Sequence, residues 1–424
     1  MSCPLQYWSS SRSCATDTKG SYCILPSYIL GLDRRRGLKE QIPFGSPSSR
    51  LNSVSLTGRH ASRPTMATAA SVVQESENGT GLNTTDQSKV AVFSAARYVH
   101  EFLHEPIMSN FPGSTFIEAQ LDVNTAPLAA GHQVICCFVN DDLSKDVVNK
   151  LAEVGVRFVA MRCAGFDRVD VKACEQAGIA VARVPTYSPA SVAEHAVAML
   201  LCLNRNLHLA HIRMWAGDYT LSGLVGFELK SKTVGVLGTG AIGAAACRIF
   251  RGFGSRVLAH DIYESEEVRA LGVEYVSKED LLRLADVISL HCPLLPSTYH
   301  IIGAESIATM KRGAIIVNVS RGGLVDTDAA TDALESGQLG GLALDVYEHE
   351  GSLFFKNWTA VTAGERFRSW DKKFQTLKSY PNVLVTPHSA FLTEQALSNI
   401  AATTVDNIEE FGAGKKLTYQ VLPK

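Results

Sequence analysis

Three segments in the second half of the chain carry side chains that together can reduce a keto group. The first contains Arg321, the second is the acidic run 345–350, and the third contains His388. A guanidinium can bind the carboxylate of a 2-oxo acid and polarise its keto oxygen. An imidazole can give that oxygen a proton as hydride reaches the carbon, and a neighbouring carboxylate fixes the imidazole tautomer. The set indicates a 2-oxo acid reductase, but spacing alone does not choose between Glu348 and Glu350.

A glycine-rich turn can bind the dinucleotide that would donate the hydride for this reaction. Gly238, Gly240 and Gly243 form a G-x-G-x-x-G pattern that follows the strand-like run 233–237 and opens a helical pattern. The first glycine permits the tight turn, the second lets backbone N–H groups approach a pyrophosphate, and the third allows close helix–strand packing. Asp261 lies 18 residues after the third glycine. Its carboxylate can accept hydrogen bonds from ribose hydroxyls and would repel the 2′-phosphate of NADP, so the predicted cofactor is NAD.

Short apolar and β-branched runs alternate with helical patterns from about residue 89 onward, which predicts an α/β fold with parallel sheets covered on both faces. Ligands of such sheets lie beyond the carboxyl ends of the strands, so the residues after each run are site candidates. Six runs are candidates for one doubly wound sheet: 233–237, 256–259, 287–290, 314–317, 341–344 and 383–386. Earlier in the chain come the strand runs 90–93, 134–138 and 158–161 and a long helical pattern over 191–215.

The overall composition argues against several classes of partner. A length of 424 residues allows two domains, and a net charge of −2 gives no reason to expect a nucleic-acid or membrane partner. The apolar run 192–203 is interrupted by Glu194 and His195, so no membrane span is predicted. Ten cysteines occur without a C-x-x-C pair, and no metal site is predicted.

Residues 1–86 differ from the rest of the chain. Their first 70 positions are rich in serine, contain the run 34–36 of three arginines, and hold only three acidic residues. That composition is typical of an organellar transit peptide followed by a polar linker. We expect an organelle, with the chloroplast favoured over the mitochondrion because serine is abundant and no amphipathic arginine helix is evident. A disordered extension of a cytosolic protein is the alternative.

The chain from about residue 89 resembles the D-2-hydroxyacid dehydrogenase family, and within it the D-lactate dehydrogenases. The similar segments are GVLGTGAIG, VNVSRGGLVD, LDVYEHE, TPHSAFLTEQAL, MRCAGFDRVDV and VPTYSPASVAEHAV. The resemblance implies that Arg321, Glu350 and His388 are catalytic, with Glu350 rather than Glu348 paired to His388. It also implies two Rossmann-like domains, with the cofactor domain inserted into a smaller, flavodoxin-like substrate domain.

The resemblance extends to the binding residues. Backbone N–H groups of Ala164 and Gly165 are expected to hold the substrate carboxylate, and Tyr187 and Phe391 to line the substrate pocket. The resemblance, the glycine-rich turn and the strand ends together give the candidate cofactor contacts: Gly238, Gly240, Ala241, Ile242, Gly243, Asp261, His291, Cys292, Pro293, Val319, Ser320 and Asp345. His291 and Asp345 are expected near the nicotinamide.

The implied domain layout sets the site in a cleft. The substrate domain comprises residues 87–186 and 390–424, and the NAD domain comprises residues 187–389. Closure of the cleft would exclude water before hydride transfer. Members of the family are usually dimers joined through the cofactor domain, so a homodimer or larger homo-oligomer is expected.

The substrate is expected to be a small 2-oxo or 2-hydroxy acid. Aromatic residues at Tyr187 and Phe391 suit the methyl group of pyruvate, and the segment SLFF after Glu350 favours the lactate branch, whereas glycerate-type members tend to have a short Glu-Pro turn there. One methylene discriminates substrates only about 10- to 200-fold. Glyoxylate, hydroxypyruvate and larger 2-oxo acids therefore remain alternatives, and a non-catalytic NAD-sensing protein is a further one.

Overall fold

The computed structural model describes residues 89–423, which form two parallel β-sheets with helices on their faces. This is the predicted α/β fold. The strands are β1 (Val90–Val92), β2 (Thr115–Phe116), β3 (Val134–Cys137), β4 (Phe158–Met161), β5 (Ala180–Arg183), β6 (Thr233–Leu237), β7 (Arg256–His260), β8 (Glu274–Tyr275), β9 (Val287–Leu290), β10 (Ala314–Asn318), β11 (Leu339–Leu344) and β12 (Val383–Val385).

The helices cover both faces of the sheets. They are α1 (Arg97–Asn110), α2 (Lys145–Glu153), α3 (Val171–Gln176), α4 (Pro189–Asn204), α5 (Leu207–Trp215), α6 (Ala241–Gly252), α7 (Glu266–Ala270), α8 (Lys278–Leu284), α9 (Ala304–Thr309), α10 (Thr327–Glu335), α11 (Ala363–Arg368), α12 (Lys372–Leu377) and α13 (Glu394–Gly412). In the part of the chain that the structure describes, no helix combines the length and apolar character needed to cross a membrane. The predicted transit peptide and linker lie outside the described residues.

The smaller sheet has the strand order β2-β1-β3-β4-β5, which is the flavodoxin-like order. Side chains alternate between its faces: Val90 and Val92 pack beneath α1 and α13, whereas Ala91 packs on the side of α2 and α3. Helix α13, near the end of the chain, lies beside α1. The chain therefore returns to its first sheet, although the domain boundaries at 186 and 390 stay a prediction.

The larger sheet has seven strands in the order β12-β11-β10-β9-β6-β7-β8. All neighbouring pairs are parallel. The order reverses at β6, between β7 and β9, and a ligand crevice is expected at such a point. The sequence predicts six of these strands. It misses β8, because an edge strand of two residues is too short to show a period of two.

The predicted helix over 191–215 is wrong in one respect, since the structure has two helices there. Helix α4 ends at Asn204 and α5 begins at Leu207. Asn206 between them has a φ of +50°, a left-handed conformation that ends a helix. The side chain of Asn204 also hydrogen-bonds the backbone N–H and carbonyl of Phe227, at 2.9 Å each. These contacts hold the break in place.

Candidate active site

The glycine-rich turn joins β6 to α6 at the point where the strand order reverses. Gly238 has a φ of +92°, and a Cβ there would lie 2.5 Å from the amide nitrogen of Cys292. A Cβ on Gly243 would lie 1.9 Å from the carbonyl oxygen of Gly238, so the helix packs directly on the turn. Gly240 instead faces open space, and no side chain caps the helix at this residue. The first amides of α6 are therefore available to a phosphate.

Asp261 directly follows β7 and lies beside this turn. One carboxylate oxygen accepts hydrogen bonds from the backbone N–H and the hydroxyl of Thr239, at 2.5 and 3.1 Å. The other accepts one from the backbone N–H of Tyr263 at 3.2 Å. Partial burial raises the pKa of Asp261, but these hydrogen bonds outweigh it and leave the pKa below its ordinary value. The ionised group keeps lone pairs for ribose hydroxyls.

His291 lies just after β9 with its imidazole buried at the inner wall of the cleft. Its Nε2 is 2.8 Å from the hydroxyl of Ser289, while its Nδ1 is buried and has no hydrogen-bond partner among the described residues. Burial lowers the pKa of His291 to about 4, so the ring is neutral near pH 7. A buried nitrogen without a partner is costly unless a ligand satisfies it.

The other candidate cofactor residues complete one wall. The hydroxyl of Ser320 donates to the carbonyl of Cys292 at 2.6 Å, which joins the ends of β10 and β9. Ile242, Pro293 and Val319 line the cleft, and Ala241 begins α6 beside them. The open turn, the ionised Asp261 and the unpaired nitrogen of His291 together fit a dinucleotide. No cluster of side chains suited to a metal occurs within residues 89–423.

His388 and Glu350 form a hydrogen-bonded pair at the other side of the cleft. The Nδ1 of His388 lies 2.7 Å from Oε1 of Glu350, whose second oxygen accepts the backbone N–H of Tyr347 at 3.0 Å. His388 has a φ of +54°, and its backbone N–H donates to the carbonyl of Asp345 at 2.8 Å. The pair leaves Nε2 as the nitrogen able to exchange a proton with substrate.

Glu348, the alternative that spacing left open, has a different partner. Its carboxylate lies 2.7 Å from Nε2 of His300 and 3.1 Å from the hydroxyl of Tyr299. Both residues belong to the segment between β9 and α9. Glu348 therefore lies away from His388, and only Glu350 of the two is positioned to act on the imidazole.

Asp345, at the end of β11, is fully buried behind His388. Its carboxylate accepts the backbone N–H groups of Ser389 and Ala390, at 2.8 and 2.9 Å, and the hydroxyl of Thr386 at 2.6 Å. His195 of α4 lies 3.4 Å from the same carboxylate. Burial raises the pKa of Asp345, but hydrogen bonds, of which that from His195 is the largest, bring it below the ordinary value. The carboxylate thus fixes the backbone that carries His388.

Arg321 follows β10 and faces the same cavity from the opposite side. Its Nε donates to the carboxylate of Asp167 at 2.9 Å, and its Nη1 to the carbonyl of Ser320 at 2.8 Å. A Cβ on Gly165 would lie 2.1 Å from its Nη2, so this nitrogen is against the backbone of that glycine. In the described residues the N–H groups of Ala164 and Gly165 donate to no backbone acceptor. Cation and free amides converge where a carboxylate would bind.

Aromatic side chains form the apolar wall of the site. The ring of Phe391 is 6.4 Å from that of Tyr187 and 5.4 Å from that of Phe138. Burial raises the pKa of Tyr187 to about 12, so its hydroxyl stays neutral. These rings, Arg321 and His388 border one cavity of about 740 Å³. Predicted residues of both sheets, among them Gly165, His291 and Ser320, therefore line one cavity, and Glu350 reaches it through its hydrogen bond to His388.

Asp167 and Phe138 are among the residues of this cleft that the sequence did not indicate. Asp167 pairs with Arg321, and Phe138 packs on Phe391. Phe138 directly follows β3, whereas Asp167 lies six residues after the end of β4. The position of Phe138 at a strand end is a signal of a ligand-facing residue, whereas Asp167 is too far from β4 for that signal.

Known proteins similar to this chain identify its family. Residues 197–390 match the family model described as D-isomer specific 2-hydroxyacid dehydrogenase, NAD binding domain. D-lactate dehydrogenase of Escherichia coli is 43% identical over 327 residues, which are 77% of this chain and 98% of that protein. The chain belongs to the D-isomer specific 2-hydroxyacid dehydrogenase family. It is accordingly an oxidoreductase that uses NAD and acts on D-2-hydroxy acids.

Solved structures of D-2-hydroxyacid dehydrogenases have the same fold. The pyruvate reductase of Chlamydomonas reinhardtii is 52% identical, with a TM-score of 0.76 over 78% of this chain and 98% of that one. D-lactate dehydrogenase of Lactobacillus jensenii with NAD⁺ is 32% identical, with a TM-score of 0.66 over 79% of this chain and 100% of that one. NAD as the cofactor, predicted from the turn and Asp261, is thereby confirmed.

Replacing Asp261 should shift the enzyme's preference between cofactors. In Asp261→Ala the acceptor for the ribose hydroxyls is lost, so NADH binding should weaken about 10- to 100-fold, roughly the equivalent of one hydrogen bond to a charged group. Repulsion of the 2′-phosphate is lost as well, so the ratio of NADPH to NADH efficiency should rise. Asp261→Asn is the matched control, because it removes the charge but keeps an acceptor. An unchanged ratio in both variants would exclude Asp261 from cofactor selection.

Alanine substitutions at two glycines of the turn should affect different properties, stability at Gly243 and NADH affinity at Gly240. Gly243→Ala places a methyl group against a backbone carbonyl, so we expect about 1–3 kcal/mol of destabilisation and a lower melting temperature. Gly240→Ala adds its methyl group where the protein has open space, so the melting temperature should hold while NADH affinity falls about 10-fold or more. Thermal denaturation and NADH fluorescence titration of both variants measure this. Equal melting temperatures would contradict the packing role of Gly243.

Proposed function

We propose that this enzyme interconverts pyruvate and D-lactate. The observation that carries the proposal is the common cavity in which Arg321, His388 and the ring of Phe391 face one another. It has a cation for a carboxylate, a proton donor for a keto oxygen, and an apolar wall for a methyl group. The names of the relatives support the same choice, since one is a D-lactate dehydrogenase and another a pyruvate reductase.

The residues of the chain have separate tasks in this reaction. Arg321 and the amides of Ala164 and Gly165 bind the substrate carboxylate, and the guanidinium also polarises the keto oxygen. When bound, NADH supplies the hydride that reduces the keto carbon. His388 gives its Nε2 proton to the oxygen, and Glu350 stabilises the imidazolium before that transfer. In the oxidative direction His388 takes the hydroxyl proton back.

Steady-state kinetics test the proposed substrate. NADH oxidation by the purified protein is measured with pyruvate, glyoxylate, hydroxypyruvate and 2-oxoisocaproate side by side. We expect pyruvate to have the highest kcat/KM and D-lactate to be the product, as resolved by chiral chromatography. A higher kcat/KM for any of the other three would replace pyruvate as the substrate, and formation of L-lactate would refute the stereochemical assignment.

We further propose that the enzyme is a homodimer whose interface includes α5. This helix has no buried residue. Its apolar side chains and those just after it are exposed: Leu207, Ile212, Met214, Trp215, Tyr219, Leu221 and Val225. Several large apolar side chains exposed within one short stretch of chain are typical of an interface. Trp215 is 83% exposed in the single chain.

Sedimentation analysis tests the proposed dimer. It should find a dimer for the natural protein and a monomer for a Trp215→Asp, Ile212→Asp double variant, and a monomer for both proteins would refute the proposal.

We propose an organellar location, with the chloroplast favoured. The support is the serine-rich, acid-poor composition of the first 70 residues. Fusing residues 1–86 to a fluorescent protein in plant or algal cells tests it: chloroplast fluorescence is expected, and diffuse cytosolic fluorescence would contradict it.

A further inference from the structure

The segment that follows Glu350 is anchored firmly to the protein. The backbone N–H groups of Leu353 and Phe354 donate to the carbonyl of Glu350 at 2.9 and 2.8 Å. Both side chains are buried, and Trp358 donates its indole N–H to the carbonyl of Leu353 at 2.8 Å. The ring of Phe354 packs on Phe374 at 5.8 Å. The residue that comes next in the chain is therefore held in a defined position.

That next residue, Phe355, does not join this cluster but lies beside two residues that line the cavity, Phe138 and His388. Its ring lies edge-on to that of Phe138, with centroids 5.3 Å apart, and 6.0 Å from the imidazole of His388. Its φ is +61°, a left-handed conformation that is unusual for a bulky side chain, and the residue is 40% exposed. Backbone strain of this kind persists only where the surroundings enforce it, and it is often found at functional sites.

The beginning of the same segment also touches the opposite side of the cleft. A Cβ on Gly351 would lie 2.9 Å from the guanidinium of Arg168, which itself donates to the carbonyl of Asn140 at 2.7 Å. Arg168 and Phe138 both follow strands of the smaller sheet. Both ends of the segment 351–355, Gly351 and Phe355, thus contact residues that follow strands of the smaller sheet.

These contacts put a third ring beside the substrate side group. When the substrate carboxylate binds at Arg321 and its keto oxygen at His388, the side group of the substrate faces Phe138 and Phe391. Phe355 packs on Phe138 and lies beside His388, two residues that line the cavity, so a longer side group reaching past Phe138 would meet its ring. Phe138 and Phe391 belong to the cavity wall, whereas Phe355 reaches it from the segment that also carries the catalytic carboxylate.

We infer that Phe355 is a specificity-determining residue that restricts the enzyme to 2-oxo acids with short side groups. This rests on the proposed function. Reduction of its volume opens the site to branched or longer 2-oxo acids, and enlargement narrows it further. Neither substitution changes proton transfer by His388. The preference among 2-oxo acids therefore changes while the catalytic groups stay in place.

The test is the ratio of kcat/KM for 2-oxoisocaproate to that for pyruvate, in the full chain. Phe355→Ala should raise this ratio about 10- to 200-fold, the range over which apolar pockets discriminate side-chain size. Phe355→Trp should lower it, and Phe355→Leu should fall between alanine and phenylalanine. The NADH dissociation constant should stay within about twofold of the natural value in each variant, because the cofactor contacts lie elsewhere.

The control is Phe367→Ala in α11, where the ring is 79% exposed and the ratio of kcat/KM values should not change. An unchanged ratio in the Phe355 variants, with both substrates falling together, would overturn the inference and leave Phe355 as a support for His388. An enzyme whose natural form reduces no 2-oxo acid would instead refute the proposed function, and the inference with it.

Discussion

Replacement of His388 by alanine should lower kcat for pyruvate reduction about 10²- to 10⁴-fold, because a positioned proton donor contributes about that much. The NADH dissociation constant should change little, since the imidazole is held by Glu350 and faces the substrate. Stopped-flow measurement of NADH oxidation and fluorescence titration separate the two effects. A deuterium isotope effect from labelled NADH should also fall if proton transfer alone has become slow.

Two further variants define the role of the histidine. Glu350→Gln keeps a side chain of the same size but removes the charge that stabilises the imidazolium, so its kcat should lie between those of the natural enzyme and His388→Ala. His100→Ala, at an exposed position of α1, should behave like the natural enzyme. Full turnover in His388→Ala would mean that another group supplies the proton.

Arg321→Lys should cost about 10²- to 10³-fold in kcat/KM for pyruvate, mostly through KM. Lysine keeps the charge but cannot form the two parallel hydrogen bonds of a guanidinium, and each hydrogen bond to a charged group is worth about 1.5–3 kcal/mol. Initial-rate kinetics over a range of pyruvate concentrations measure the loss. An unchanged KM would show that the carboxylate is bound elsewhere.

Gly165→Ala tests the same subsite without altering the cation. The added methyl group would lie 2.1 Å from Nη2 of Arg321, so the guanidinium must move away from the substrate position. We expect KM for pyruvate to rise while NADH binding is retained. Gly252→Ala is the matched control, because a Cβ there meets no atom within 4 Å and the residue lies in a helix. Equal kinetics of the two variants would contradict the placement of Arg321.

Sequence reasoning predicted the parts of the site that follow long strands. β6, β7, β9, β10 and β11 are each four to six residues of nearly continuous apolar sequence, and parallel strands end at one edge of the sheet. Arg321 and Asp261 could be assigned to the cleft for that reason. Spacing could not separate Glu348 from Glu350, since both follow β11 within a few residues and the backbone between them is irregular. Only their side-chain partners, His300 and His388, distinguish them.

The remainder depends on tertiary structure. Phe355 lies beside His388 with a left-handed backbone conformation in a loop, and no periodicity of the sequence predicts such a conformation. Asp167 pairs with Arg321 across 154 positions of sequence. The two-residue strands β2 and β8 exist because neighbouring strands offer free edges to pair with, a property of the sheet and not of their own residues.

The buried carboxylate of Asp345 links the architecture of the site to acid tolerance. Its pKa is lower in the folded protein than the value near 3.9 expected of an unfolded chain. By proton linkage, the ionised Asp345 contributes its full stabilisation of the folded state at pH values above the unfolded pKa. This stabilisation is lost as the pH falls through the lower pKa of the folded state. Protonation would withdraw acceptors from Ser389 and Ala390, which flank His388. In strong acid, protonation of Asp345 should therefore release the backbone segment that carries His388 and at the same time lower the free energy of unfolding.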